Sequence, residues 1–277
     1  MADCGVHGLK NFFTGAGLLA CVLGSWCTPA GASPTSWYSH DGAYVWGDVG
    51  LQGVVGGTRM APNGLSYTPL FCLDADFNVV LVQQPQVYLF TASRFWAERA
   101  RPGVTNQRQG AWDFSKREYD LLGGAAWRYA NAWEVRALAY SFNNLNRGTD
   151  LTRSSGYKDG FGLEDRYYWQ DGRNFVGLGY YLTKQMVDLE GVAFKPGACA
   201  EAHLSWDLVP RLLALYLQPQ LVCESTGAPK LLEIDTGVAW APLDDKRFTF
   251  AAGVDGTYDI PNGRARTLYY GAVQVEF

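Results

Sequence analysis

The last eleven residues, 267–277, alternate without a break. Tyr269, Gly271, Val273, Val275 and Phe277 share one side of an extended chain; Tyr270, Ala272, Gln274 and Glu276 share the other. Successive strand residues point to opposite faces, so one face suits an apolar phase and the other a wet one. The rhythm recurs upstream. In 246–258, Phe248, Phe250, Val254 and Tyr258 oppose Arg247, Thr249 and Asp255. In 231–242, Leu232, Ile234, Val238 and Trp240 oppose Glu233 and Asp235. In 198–208, Ala200, Ala202, Leu204, Trp206 and Leu208 oppose Glu201, His203, Ser205 and Asp207. In 67–82, Leu73, Ala75, Phe77, Val79 and Leu81 oppose Asp74, Asp76 and Asn78.

The pattern predicts about twelve strands, over 43–55, 67–82, 87–99, 117–130, 132–144, 161–169, 174–184, 198–208, 211–223, 231–242, 246–258 and 267–277. Many are ~10–13 residues long, enough to cross a bilayer when tilted about 45°. Connections after even-numbered strands are mostly tight, as at 83–86, 170–173 and 209–210, and those after odd-numbered strands are mostly longer, as at 56–66, 100–116 and 145–160. Short turns on one side and long loops on the other are expected of a transmembrane barrel, whose two sides face different compartments. Alternation gives no sense, however: a soluble barrel would turn its apolar face inward.

Residues 11–40 contain no Asp, Glu, Lys or Arg. An apolar core through Leu23 and a small-residue run, Ala30-Gly31-Ala32, predict a cleaved export signal over 1–32, leaving 33–277 as the mature barrel domain. Leu18-Leu19-Ala20-Cys21 offers a second reading, lipidation at Cys21. No later segment has the ~20 continuous apolar residues that a spanning helix needs, so strands must carry any membrane passage.

A chain closing on such a strand, with Phe277 last, resembles bacterial outer-membrane β-barrel proteins. The resemblance is architectural and covers 43–277. It implies an all-β fold: a single antiparallel up-and-down transmembrane β-barrel of about twelve strands, with short periplasmic turns and longer extracellular loops. It places the protein in the outer membrane of a diderm bacterium, against outer-membrane lipid and lipopolysaccharide. It makes Phe277 the assembly signal, read with the C-terminal strand by the barrel-assembly machinery.

Composition agrees with a sheet protein: aromatics reach 14% with 10 Trp, while charged residues stop at 18%. Trp46, Phe95, Trp127, Trp133, Trp169, Trp206, Trp240, Phe248, Tyr258 and Tyr269 fall near strand ends, where interfacial girdles sit. Removing 1–32 takes away Asp3 and Lys10 together, so the net charge stays at −4 and leaves no basic footprint for nucleic acid.

If the polar faces point inward, the lumen carries both signs. The candidate acids are Asp74, Asp76, Asp120, Glu134, Glu201, Asp207, Glu233, Asp235, Asp255 and Glu276, with Asp48 and Glu98 beside them. The candidate bases are Arg94, Arg128 and Arg136, with Arg166 and Arg247; His203 joins them. Twelve strands enclose a bore between the side-chain-filled eight-strand case and open sixteen-strand porins. Such a lumen is either a narrow aqueous path or is plugged by its own ion pairs. The expected function is passive diffusion of small polar solutes, with an acidic excess favouring cations or neutral solutes. The alternative is a non-conducting surface adhesin or scaffold barrel.

No cofactor is implied. Asp74, Asp76 and Asn78 share a face with oxygen ligands of the kind calcium takes, but an ordinary wet face explains them equally. His203 and Ser205 resemble the His-x-Ser pair of twelve-strand outer-membrane phospholipases. That sets a lipid or envelope hydrolase as the enzymatic alternative to a non-enzyme, although a lipid-cleaving site must face lipid and this pair sits on the polar face. Beyond residue 32 the chain keeps Cys72, Cys199 and Cys223. Cys199 and Cys223 flank the turn at 209–210 and are candidates for a disulfide, provided that a bulge near Pro219 corrects their facing.

Overall fold

The computed structural model describes residues 44–60, 66–83, 85–98, 116–130, 132–146, 158–170, 172–183, 186–210, 212–242 and 248–277. The expected export segment 1–32, the lipidation alternative at Cys21, Arg247 and the stretches 99–115 and 147–157 lie outside the described residues. Twelve long strands are present: β1 (Val45–Gly57), β4 (Pro69–Gln83), β5 (Gln86–Glu98), β6 (Lys116–Ala130), β7 (Trp133–Asn146), β8 (Lys158–Trp169), β9 (Asn174–Thr183), β12 (Pro196–Val209), β13 (Leu213–Glu224), β14 (Pro229–Trp240), β15 (Phe248–Asp259) and β16 (Arg264–Glu276). They close into one barrel in the order β1-β16-β15-β14-β13-β12-β9-β8-β7-β6-β5-β4. Every pairing is antiparallel, and β1 closes the ring on β16 from Asp48↔Glu276 to Gly57↔Leu268. Four two-residue strands form two small ribbons, β2 (Arg59–Met60) with β3 (Ser66–Tyr67) and β10 (Met186–Val187) with β11 (Ala193–Phe194).

Exposure resolves the sense of the alternation. On β16, Tyr269, Val275 and Phe277 are exposed while Tyr270 and Glu276 are buried. On β7, Trp133 and Val135 are exposed while Glu134, Arg136 and Leu138 are buried. Apolar side chains therefore clothe the outside and charged ones fill the inside. That inversion of a water-soluble core fits a barrel surrounded by hydrocarbon. The outer aromatics cluster toward strand ends: Trp127 packs on Tyr129 (5.5 Å), Trp133 on Tyr167 (4.9 Å) and Trp240 on Phe250 (5.6 Å). Trp46 departs from the expected girdle. It shares the inward parity of Asp48 and packs on Tyr88 at 5.2 Å.

The final residue belongs to the seam. Phe277 N donates to Gly47 O (3.0 Å), Gly47 N donates to Phe277 O (3.1 Å), and the Phe277 ring meets Phe77 at 5.4 Å.

On one rim the strands are joined by 84–85, 131–132, 170–173, 210–212 and 241–247; on the other by 58–68, 99–115, 147–157, 184–195, 225–228 and 260–263. The length difference is marked up to β12 and disappears over the last four strands. We call the second rim the mouth. Both ribbons stand there, and both fold onto inward-facing side chains. Tyr67 packs with Val54, Cys72, Trp96 and Leu268, and Phe194 with Cys199, Val222 and Leu231.

The expected Cys199–Cys223 disulfide is absent: Cys72, Cys199 and Cys223 are all thiols. Register gives the reason. Cys199 pairs with Val222, and Cys223 pairs with Ala198, so the two side chains leave opposite faces of the sheet. The correcting bulge does not occur near Pro219, which pairs regularly with Ile234; the shift comes later, between Val222 and Cys223.

Candidate functional site: the charged lumen

All the described residues considered for the lumen take inward register positions; Arg247 lies outside them. Asp120 pairs with Arg94, but its side chain lies outside the described residues, as does that of Glu98. The others separate into two walls.

The first wall is an ion-pair ladder. Arg128, Glu134, Arg166, Gly177, Glu201 and Gln220 are direct cross-strand neighbours on successive strands from β6 to β13, and the row runs on to Glu233 of the second wall on β14. Arg128 reaches Glu134 at 3.3 Å, Arg136 reaches Glu134 and Glu164 at 3.5 Å each, Arg166 reaches Glu164 at 3.0 Å, and Arg166 reaches Glu201 at 2.6 Å. Glu134 is fully buried and also accepts from Tyr88 Oη (2.7 Å) and Tyr168 Oη (3.1 Å). Aromatic rings complete the shell: Arg136 lies 3.8 Å from the Phe90 centroid and Arg166 4.2 Å from Phe175. Buried charge is tolerated only when paired and fully hydrogen-bonded, and here each carboxylate has at least one guanidinium.

Gly177 makes the ladder possible where it crosses β9. A Cβ there would stand 3.2 Å from Glu164 Oε1, 3.2 Å from Glu201 Cγ and 3.3 Å from Arg166 Cγ. Without that atom, Arg166 spans a whole strand to reach Glu201.

The second wall is acidic. Away from the mouth, the inward positions of β14, β15, β16, β1, β4 and β5 hold Asp48, Asp74, Asp76, Glu233, Asp235, Asp255 and Glu276 against one base, Arg94. Asp48 faces Glu276 on one side and Asp76 on the other; Asp235 faces Asp255. Asp74 pairs with Arg94 in register. Tyr270 Oη donates to Asp235 Oδ1 at 2.5 Å, and Tyr216 bonds to Tyr270. Asp74, Asp76, Glu233, Asp235 and Asp255 are partly exposed, while Asp48 and Glu276 are buried, as are Glu134 and Glu164 on the ladder. In the ring order, the strands of this wall lie opposite those of the ladder.

His203, Ser205 and Asp207 continue along the inner face of β12. Gln218 Nε2 donates to His203 Nδ1 (2.7 Å), and the imidazole stacks on Phe175 at 6.0 Å. Ser205 N donates to Asn174 Oδ1 at 2.8 Å. His203 Nε2, Ser205 Oγ and Asp207 Oδ1 have no hydrogen-bond partner among the described residues. The serine is therefore not bonded to the imidazole as a nucleophile to its base would be, and the pair faces the lumen rather than lipid. No group of three or more His, Cys, Asp or Glu side chains among the described residues is gathered closely enough to hold a metal ion.

Sequence reasoning missed Glu164 as a lumen acid. It sits in the contiguous run Glu164-Asp165-Arg166, which hides the alternation; Asp165 is the exposed, outward member.

No family model matches the chain, and no curated protein matches it. Solved outer-membrane barrels do. Outer membrane phospholipase A from Escherichia coli superposes with a TM-score of 0.45 at 10% identity, covering 83% of this chain and 92% of that one. An outer membrane channel from Pseudomonas putida F1 gives 0.44 at 14%, covering 91% and 97%. The translocator domain of the autotransporter NalP from Neisseria meningitidis gives 0.40 at 13%, covering 98% and 95%. A phospholipase, a channel and a translocator stand side by side here. At such values none of them lends its activity to this chain.

Proposed function

We propose that the protein is an outer-membrane channel that passes small polar solutes, cations in preference to anions, along an acidic track between two unlike walls. The observation that carries this reading is the segregation of lumen charge. The ladder residues Arg128, Arg136 and Arg166 are balanced by Glu134, Glu164 and Glu201, so that wall is neutral in sum. The opposite wall holds seven carboxylates and one guanidinium. A low-dielectric surround focuses the field of the excess sign into the lumen. Wall polarity and bore then set selectivity, with no covalent step required. Outer-membrane lipid and lipopolysaccharide meet the apolar exterior, and the C-terminal strand ending in Phe277 is the handle for the assembly machinery.

The test is single-channel recording of the refolded chain in planar bilayers, with reversal potentials under a salt gradient. Openings with cation preference are expected; anion preference sinks the reading. A second reading, a non-conducting scaffold or adhesin, draws on the burial of the ladder and the ribbons at the mouth. A stably folded barrel that carries no current under any condition selects it.

A further inference from the structure

We propose that the β10–β11 ribbon, Met186–Phe194, is a strap that shuts the mouth of the barrel and is latched by Asp188 on Lys230. The proposal rests on the channel reading above.

The strap leaves β9 and re-enters at β12, yet its contacts run on to β16. At its base, Phe194 is buried against the inward residues Cys199, Val222 and Leu231. Its tip buries Leu189 and is held to the next strands by individual polar contacts. Asp188 Oδ2 lies 2.9 Å from Lys230 Nζ at the start of β14. Leu189 N donates to Asp259 Oδ2 at the end of β15 (3.2 Å), and Arg266 of β16 donates to Leu189 O (3.2 Å). Arg264 adds an outer pair to Glu190 at 3.0 Å. The strap thus lies along the inner rim from β9 to β16.

The tip is built as one rigid unit. Asp188 Oδ1 accepts from Glu190 N (3.0 Å) and Val192 N (2.9 Å), and Gly191 turns the chain at a φ of 85° that disfavours side chains. Asp188 therefore both shapes the turn and fastens it. Lys230 only fastens it. The strands that receive the tip are flanked by the two short mouth connections, 225–228 and 260–263. An apolar base beside a tip held by individual polar contacts is a hinge with a releasable end.

The experiment uses the full refolded chain and reads two quantities: hydrogen exchange over 186–194 and open probability in planar bilayers. Lys230→Met removes the fastener and leaves the turn intact; Lys230→Arg keeps it; Leu189→Gly loosens the tip independently. Lys230→Met and Leu189→Gly are expected to raise both exchange and open probability about tenfold, the shift that ~1.4 kcal/mol produces, with Lys230→Arg close to the parent. Faster exchange without a change in openings overturns the strap as the barrier, and unchanged exchange overturns the latch. A parent chain as open as both variants also overturns the proposal while leaving the channel reading standing. Silence in every variant, with exchange raised, overturns the channel reading and the strap together.

Discussion

Replacing Glu134 with alanine should be among the most damaging single changes in the lumen. Its carboxylate is fully buried and receives four groups: Tyr88 Oη at 2.7 Å, Tyr168 Oη at 3.1 Å, Arg128 at 3.3 Å and Arg136 at 3.5 Å. Hydrogen bonds to a charged group contribute about 1.5–3 kcal/mol each. The Arg128 side chain is 36% exposed, so water replaces most of what it loses. The Arg136 side chain is only 11% exposed and keeps Glu164 alone. The Tyr88 hydroxyl loses its acceptor, Tyr168 keeps only Arg166, and the buried Arg136 guanidinium is half-compensated; together these cost about 3–5 kcal/mol, the range for breaking a buried pair from one side. Urea titration of the chain refolded in vesicles, followed by tryptophan fluorescence, measures this. Glu190→Ala is the control. Its pair with Arg264 is open to water, with side chains 36% and 61% exposed, and is worth ~0–1 kcal/mol. Glu134→Gln, which keeps acceptors for the tyrosines, should fall between the two. If Glu134→Ala costs no more than Glu190→Ala, the ladder does not organise this wall.

Three further outcomes are expected. Asp76→Asn combined with Asp255→Asn should move the reversal potential toward zero in a salt gradient, whereas Glu190→Ala should not; equal effects would mean that lumen charge does not set selectivity. Burial alone would raise the Asp188 carboxyl, but the hydrogen bonds from Lys230, Val192 N and Glu190 N outweigh it and hold the group below the ordinary 3.8. The latch is therefore complete above that value and weakens only as pH falls below it. Lys230, Glu190, Glu224, Asp259, Arg264 and Arg266 stand around Asp188, so the opening on acidification should be compared with Lys230→Met, where it should be absent. Peptide mapping under non-reducing conditions should recover Cys199 and Cys223 as separate thiols even after mild oxidation, and a Cys199–Cys223 crosslink would refute the register between β12 and β13.

Much of the barrel was legible because alternation is local. Tyr269 to Phe277 declare a two-faced strand without any knowledge of their neighbours, and so do Leu73 to Leu81. The sense was not legible, since the same alternation serves a soluble barrel; it takes the exposure of Val275 beside the burial of Glu276 to decide it. Trp46 shows the limit of composition. Its position near a strand end suggested a girdle, while its parity with Asp48 sends it inward. Register was the other gap. Arg128, Arg166 and Glu201 were visible as inward charges, but nothing in one strand reveals that all three fall on one cross-strand row, or that Gly177 leaves the opening through which Arg166 reaches Glu201. The ribbons were hidden for a third reason. They are two residues long on each side, too short for any period to register, and the hold of the second on the barrel comes from Phe194, Asp188 and Leu189 meeting distant strands, Leu189 reaching a residue 77 positions away.

The two walls and the strap bear on one another. A neutral, tightly bonded ladder stiffens the arc from β6 to β12, because each of its buried charges is costly to leave unpaired. The acidic arc is held together more loosely: Asp48 faces Glu276 across the seam and Asp76 on β4, and Asp235 faces Asp255. Adjacent carboxylates repel, and they are relieved by a counter-cation or a proton. In the proposed channel, that relief would draw cations into the track. The strap docks on β14, β15 and β16, strands that also carry acidic-wall residues, through a lysine and two arginines at the mouth. In that proposal the basic latch residues stand at the mouth end of the acidic wall, where an arriving cation would compete with them for Asp188 and Glu190. Raising the salt concentration should therefore loosen the exposed Arg264–Glu190 contact before the buried Asp188–Lys230 pair, since screening acts first on exposed charges.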